Sequence, residues 1–385
     1  MSAPPPELLE LRQALHRAPE LAHREHRTAE RIRGWLERHR PAAIVDGLGG
    51  HGLAAVWRGR QAGPRVLLRA ELDGLPIDET IELDHGSTNA GVAHKCGHDG
   101  HMTMVAGLAP RLQAAPPASG EVVLLFQPAE ETGEGAARVL ADEKFEPLRP
   151  DWAFALHNLP GQPLGQVVVR RGVFAAASCG LRIELEGATA HAAEPQRGRS
   201  PALAVASLIQ SVSAVGQYHA ALEEAAKATV VNAVVGEEAY GTSPGRGHMA
   251  ITLRTYDGQV LERIERRCLE LAEAVAATYG LDFRTSRVEP FPVTASDERA
   301  VAIVERAAAQ HGLDVTQPAA PFPWSEDFGH FTAAAPGALF GLGSGAQQPA
   351  LHHPTYDFPD ELLASGVDLF ESIVRQLTDS PPAAD

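Results

Sequence analysis

The sequence predicts an α/β protein, a mixed-sheet α/β sandwich interrupted by a smaller inserted α+β domain. Three observations point there. Bare apolar runs, LAAVW (53–57), VLLRAEL (66–72), VVLLF (122–126) and WAFAL (152–156), read as strands buried on both faces under helices. Helical stretches lie between them, notably 100–113 and 134–142. Near residue 178 the pattern changes, and CGLRIELEG alternates as a half-exposed antiparallel strand does.

Taken in order, residues 7–40 form two helices broken at Ala18-Pro19, with Leu8, Leu11 and Leu15 on one face of the first. The four buried strands follow. In the second region Ser200-Pro201 opens a long helix, ALAVASLIQSVSAV, with proline at the first helical position. Strands at 228–235 and 248–256 and a helix at 259–279 complete a strand–helix–strand–strand–helix pattern. After Pro290-Phe291-Pro292 the α/β character resumes with a helix at 297–311 and the strand ALFGLG (338–343). The expected domains are therefore 1–177 with 291–385, and an insertion at 178–290. A chain of 385 residues is long for one compact domain, which agrees.

Composition excludes several classes. A formal charge of −16 argues against nucleic acid or an anionic membrane as partner, since either selects a basic face. No run approaches the roughly 20 apolar residues that span a bilayer, and MSAPPPELLELRQALHR lacks the marks of a signal peptide. Cys96, Cys179 and Cys268 are odd in number and far apart, so no disulfide framework is expected. A reducing cytoplasm fits, and would keep Cys96 available as a thiolate.

Chemistry concentrates in KCGHDGHMTM (95–104), FQPAEE (126–131), ALHN (155–158) and ALHHP (350–354). Cys96, His98, Glu130, Glu131, His157 and His352 supply sulfur, nitrogen and oxygen donors, which zinc-like divalent ions accept together. Each set sits where a strand hands over to a loop, and ligands at strand exits can converge. Of two adjacent carboxylates, one can bind metal while its neighbour reaches a bound water. Singly, each signal has a bland reading. CxHxxH arises by chance, most Glu-Glu pairs are solvated, and a histidine at a strand end is more often structural. His101 fits either a ligand or a helix cap. Cys96 also admits a nucleophile reading with His98 as base, which the adjacent carboxylates and distant histidines disfavour. His191, in GATAHAAEPQRGRSP (187–201), fits a substrate contact or a turn residue.

Together these segments resemble the metal-dependent aminoacylase/carboxypeptidase family, nearest its N-acyl-amino-acid amidohydrolase branch. The order is preserved along nearly the whole chain, from HRAPELAHREHRT (16–28) and VLLRAELDGLPIDE (66–79), through the metal-site segments, to WSEDFGHF (324–331) and LHHPTYDF (351–358). The resemblance implies a catalytic domain with an inserted dimerisation (lid) domain. It implies two divalent ions, zinc or manganese before cobalt or nickel, shared by Cys96 and completed by His98, Glu131, His157 and His352. Glu130 is then the general base for a metal-bound water, Asp73 orients a histidine ligand, and His191 approaches the substrate, in some members from the partner of a homodimer. The implied substrate is a small N-acyl amino acid or related amide. A small-peptide hydrolase is the alternative, and a catalytically silent metal-dependent binding protein the more distant one.

Two departures are visible. Arg69-Ala70-Glu71 stands where the branch reads Arg-Ala-Asp. The usual Asn-Val-Ile-Pro lid segment is replaced within AYGTSPGRGHMAITLRT (239–255), leaving Arg254 as a candidate substrate-anion contact.

Overall fold

A computed structural model describes residues 3–379. The chain opens with helices α1 (Pro6–His16) and α2 (His26–Arg38). Strands β1 (Ala43–Leu48), β2 (Gly52–Arg58) and β3 (Gln61–Glu71) follow, then α3 (His98–Ala106), α4 (Ala109–Ala114), β4 (Ser119–Gln127), α5 (Gly135–Ala141), β5 (Trp152–Pro160) and the short β6 (Val167–Val168) and β7 (Gly172–Ala175). The middle of the chain gives β8 (Ala177–Glu186), β9 (Ala190–His191), α6 (Ala202–Ser213), α7 (Val215–His219), β10 (Ala226–Val235), β11 (Thr242–Ser243), β12 (Arg246–Thr255), α8 (Gly258–Tyr279) and β13 (Asp282–Phe291). The return comprises β14 (Thr294–Ser296), α9 (Glu298–Gln310), β15 (Val315–Thr316), α10 (Gly329–Ala334), β16 (Gly337–Gly345) and α11 (Leu362–Thr378).

Two compact units result. The first takes in the chain up to Phe174, Thr294–Pro321 and the chain from Asp327 onward; the second is Ala175–Val293 with Phe322–Glu326. In the first, one mixed sheet runs in the order β1-β2-β4-β3-β5-β16-β6-β15. Its centre is parallel: β3 pairs in parallel with β4 and with β5, and β5 with β16. Antiparallel β1 and β2 extend one side. The central strands are buried on both faces because α1, α3, α9 and α11 contribute apolar residues such as Leu15, Val105, Val304 and Phe370 to the same core. That explains their unalternating sequences. Because β3, β4, β5 and β16 run the same way, their carboxyl ends share one edge, the edge at which open α/β sheets place their sites.

In the second unit β10-β12-β8-β13 form an antiparallel sheet. Along β8, Cys179, Leu181, Ile183 and Leu185 are buried in a separate core with Leu208 of α6 and Ile264 of α8, while Arg182 and Glu184 are exposed. The alternation read from CGLRIELEG is this geometry.

Some elements differ from expectation. The helix expected over 100–113 is broken at Gly107-Leu108 into α3 and α4. The inserted pattern gains a fourth strand, β13. Its sequence, DFRTSRVEPF, is almost entirely exposed and shows no apolar period, yet its backbone pairs with β8.

Candidate metal centre

The cluster is assembled by tight backbone control at the sheet edge. Cys96 and His98 flank Gly97, which adopts φ +93 and caps α3, so both side chains face the same point. Glu130 and Glu131 follow the turn after β4, where Ala129 is left-handed at φ +52. His157 does not follow β5, as the sequence suggested, but lies within it. His352 is left-handed at φ +65, and its amide donates to the Lys95 carbonyl at 2.8 Å, tying the last segment to the residue before Cys96.

These segments meet. Cys96 Sγ is 3.5 Å from His157 Nε2. His98 Nε2 is 3.8 Å from both Glu130 Oε2 and Glu131 Oε1, and His352 Nε2 is 3.6 Å from Glu131 Oε1. Donor atoms of Cys96, His98 and His157, of Cys96, Glu131 and His352, and of His98, Glu130 and Glu131 each lie within 4.8 Å of one another. Overlapping triads that share Cys96, His98 and Glu131 are what a pair of ions requires.

The residues fit such ions on two grounds. His98 donates through Nδ1 to the Asp73 carbonyl at 2.9 Å, and His157 through Nδ1 to the Asn158 carbonyl at 2.8 Å. Each ring is thereby oriented with Nε2 toward the cluster, the usual arrangement behind a metal-bound imidazole. His98 Nε2 is buried without a hydrogen-bond partner. Burial opposes charge on His98, but Glu71, Asp73 and Glu131 outweigh it and raise its pKa to about 10. So much converging negative charge calls for a cation, whether a proton or a metal.

Asp73 does more than face a histidine. Its carbonyl holds the His98 ring and its carboxylate Oδ1 lies 3.7 Å from the same Nδ1, while Oδ1 and Oδ2 also accept the Glu130 and Glu131 amides at 3.2 and 2.9 Å. His101 is not a cap. It lies inside α3, with Nδ1 on Glu71 at 2.8 Å and its ring 4.7 Å from that of His157.

His191 and Arg254 belong to the second unit. His191 is exposed on β9, which pairs with Thr242 and Ser243 of the altered lid segment, and its Nδ1 accepts the Ala193 amide at 3.0 Å. Arg254 donates to the Pro323 carbonyl at 2.6 Å and the Ser325 hydroxyl at 2.8 Å. No carboxylate among the described residues forms an ion pair with it, and burial lowers its pKa.

The model of Peptidase family M20/M25/M40 matches residues 67–376. The chain belongs to that family. It is similar to an N-acetyl-L-cysteine deacetylase of Bacillus subtilis (strain 168), at 30% identity over 96% of this chain and 88% of the relative. An IAA-amino acid hydrolase ILR1-like 5 of Arabidopsis thaliana is 29% identical over 96% and 86%. Among solved structures, a dinuclear metal binding peptidase of the M20 family from Bacillus subtilis superposes with a TM-score of 0.79 at 26% identity, covering 97% and 98% of the two chains. The chain is thus a metal-dependent amidohydrolase of the M20 group with the family's mixed α/β fold.

Against that family background, the polar groups behind the candidate donors escaped the sequence. Glu71 binds both Arg69 and His101, and Arg69 also reaches Asp327, whose carboxylate accepts from Gln127 Nε2 and the Ala136 amide. The cue was the Arg69-Ala70-Glu71 departure itself: charged residues inside a strand otherwise buried on both faces must pair.

Proposed function

We propose that the cluster holds two divalent ions through Cys96, His98, Glu131, His157 and His352, and that Glu130 moves the proton during hydrolysis of a small N-acyl amino acid. The convergence of these side chains from four segments, with a carboxylate beside the donor set, carries this reading. When bound, such ions lower the pKa of water and polarise an amide carbonyl. Zinc and manganese suit the mixed donor set best.

Glu130 is 5% exposed, and the Asp73 carboxylate fixes its backbone. In this partly desolvated place a carboxylate can accept a proton from the attacking water and return it to the leaving amine nitrogen. The amide C–N bond breaks, and carboxylic acid and free amine leave. His191 donates to the developing oxyanion, from this chain or a partner. Arg254, a half-buried guanidinium facing no carboxylate, receives the substrate's own carboxylate. We further propose that the first unit is catalytic and the second a lid and dimerisation domain. Exposed Tyr218, Leu222 and Val231 beside the open edge of β10 support a dimer, and a monomer in sedimentation at micromolar concentration would remove that part. No described helix is long and apolar enough to cross a membrane, and Cys96, Cys179 and Cys268 are buried thiols, which suits a reducing cytoplasm.

The test is turnover with a panel of N-acetyl and N-benzoyl amino acids, their carboxyl-blocked amides, and dipeptides. Glu130→Gln should lose at least about 1000-fold in kcat at unchanged metal content, and His191→Ala should lower kcat without releasing metal. Blocked substrates should show raised KM. Near-wild-type kcat for Glu130→Gln ends the proposal, and preference for dipeptides moves the substrate class to peptides. Activity that survives chelators but not alkylation would restore Cys96 as a nucleophile.

A further inference from the structure

The turn that presents Glu130 is gripped from two sides by buried carboxylates. Asp73 takes the Glu130 and Glu131 amides. The amide just before them, Ala129 N–H, donates to Glu25 Oε1 at 2.8 Å, and the same oxygen accepts His23 N–H at 3.0 Å. Both donors belong to left-handed residues with a Cβ, Ala129 at φ +52 and His23 at φ +66. That region is sparsely populated for such residues and persists only where the surroundings impose it.

Glu25 occupies the N-cap of α2, where an acidic side chain ordinarily accepts an amide of its own helix. It makes no such bond. Its carboxylate turns away from the helix it begins, toward a turn 104 residues later. The side chain is fully buried, and Oε2 has no hydrogen-bond partner. Burial, and secondarily the nearby charge of Asp73, raise its pKa. A helix cap needs none of this, because a capping carboxylate can sit at the surface.

We propose that Glu25 is a positioning residue for Glu130. It supplies the acceptor that keeps Ala129 left-handed, so the chain reverses at once after Pro128 and the Glu130 carboxylate faces His98. Without it the Ala129 amide is buried with no acceptor, the turn relaxes, and Glu130 leaves its place. Glu131, one residue farther from Ala129 and on the shorter bond to Asp73, 2.9 Å against 3.2 Å for Glu130, keeps its position. This rests on the reading of Glu130 as the proton carrier.

The experiment compares Glu25→Gln, Glu25→Asp and Glu25→Ala with Glu130→Gln in the full chain, measuring kcat, KM, bound metal and Tm. Gln keeps an acceptor oxygen at the same reach, whereas Asp keeps the charge but is one methylene short. We expect Asp and Ala to lose about 10- to 100-fold in kcat, with KM and metal content within about twofold, and Gln to retain most of the rate. The proposal is overturned if Asp retains full kcat, if Asp outperforms Gln, or if kcat, metal content and Tm fall in parallel. Should Ala not fold, the Gln-against-Asp comparison decides. An active Glu130→Gln sinks the assignment of Glu130, whereas a dead Glu130→Gln beside a fully active Glu25→Asp sinks only the role of Glu25.

Discussion

Backbone conformation at single residues decides whether the candidate donors meet. Gly97 shows this most sharply. At φ +93 it lets Cys96 and His98 face one point, and a Cβ there would lie 2.3 Å from Asn158 Oδ1. Asn158 in turn accepts from His157 through its carbonyl and contacts His101 Nε2 at 2.5 Å. Gly97→Ala therefore has two costs, about 1–3 kcal/mol of backbone strain and displacement of the residue that orients His157. Its Tm should fall and its metal affinity weaken, read by titration with a competing chelator. Wild-type affinity in this variant would show that Asn158 does not set the His157 ring. At this scale the sequence was informative about donors and silent about what holds them. Cys96, His98, Glu131, His157 and His352 announce themselves by type and place. The acceptors of the Ala129, Glu130 and Glu131 amides do not, because a carboxylate serving a backbone amide looks like any other acidic residue in a sequence.

Among elements, α1 and α3 are joined by buried charge rather than apolar contact alone. His16 on α1 contacts Asp99 on α3 at 2.8 Å and Glu79 at 2.9 Å, while Arg12 Nε lies 3.0 Å from Asp99. Burial disfavours the charged imidazole, but Asp99 and Glu79 prevail and raise the His16 pKa to about 9. A group whose folded pKa exceeds its unfolded value of about 6.5 stabilises the fold fully below that value. The contribution is lost as pH rises through about 9. Unfolding free energies from denaturant titration should accordingly fall between pH 6.5 and 9, by roughly 3 kcal/mol at most, and His16→Gln should be less stable and much flatter over that window. A variant with the wild-type slope would exclude His16 as the source. Elements were legible in the sequence where packing leaves a periodic mark. The apolar runs of β2 to β5 and the alternation of β8 are such marks. By contrast β13 is held by backbone pairing with β8 and exposes nearly all its side chains, so only the ladder reveals it.

For the whole molecule, the decisive feature is that there are two cores, and the donor cluster around Cys96 belongs with the first of them. The first core gathers Leu15, Phe126, Phe154 and Phe340; the second gathers Leu181, Ile251, Leu253 and Ile264. Cys96, His98, Glu131, His157 and His352 all belong to the first unit. An ion that binds only the folded first unit stabilises that unit by mass action, about 2.7 kcal/mol when free ion exceeds Kd a hundredfold. Differential scanning calorimetry of the full chain should then show a transition that moves down on adding chelator and another that does not. Leu253→Ala empties space in the second core, where the side chain is fully buried, and should cost about 2–5 kcal/mol. It should lower the chelator-insensitive transition while leaving bound metal at the wild-type level. If both transitions shift together under chelator, or if Leu253→Ala releases metal, the two units unfold as one, and the independence implied by their separate cores is wrong.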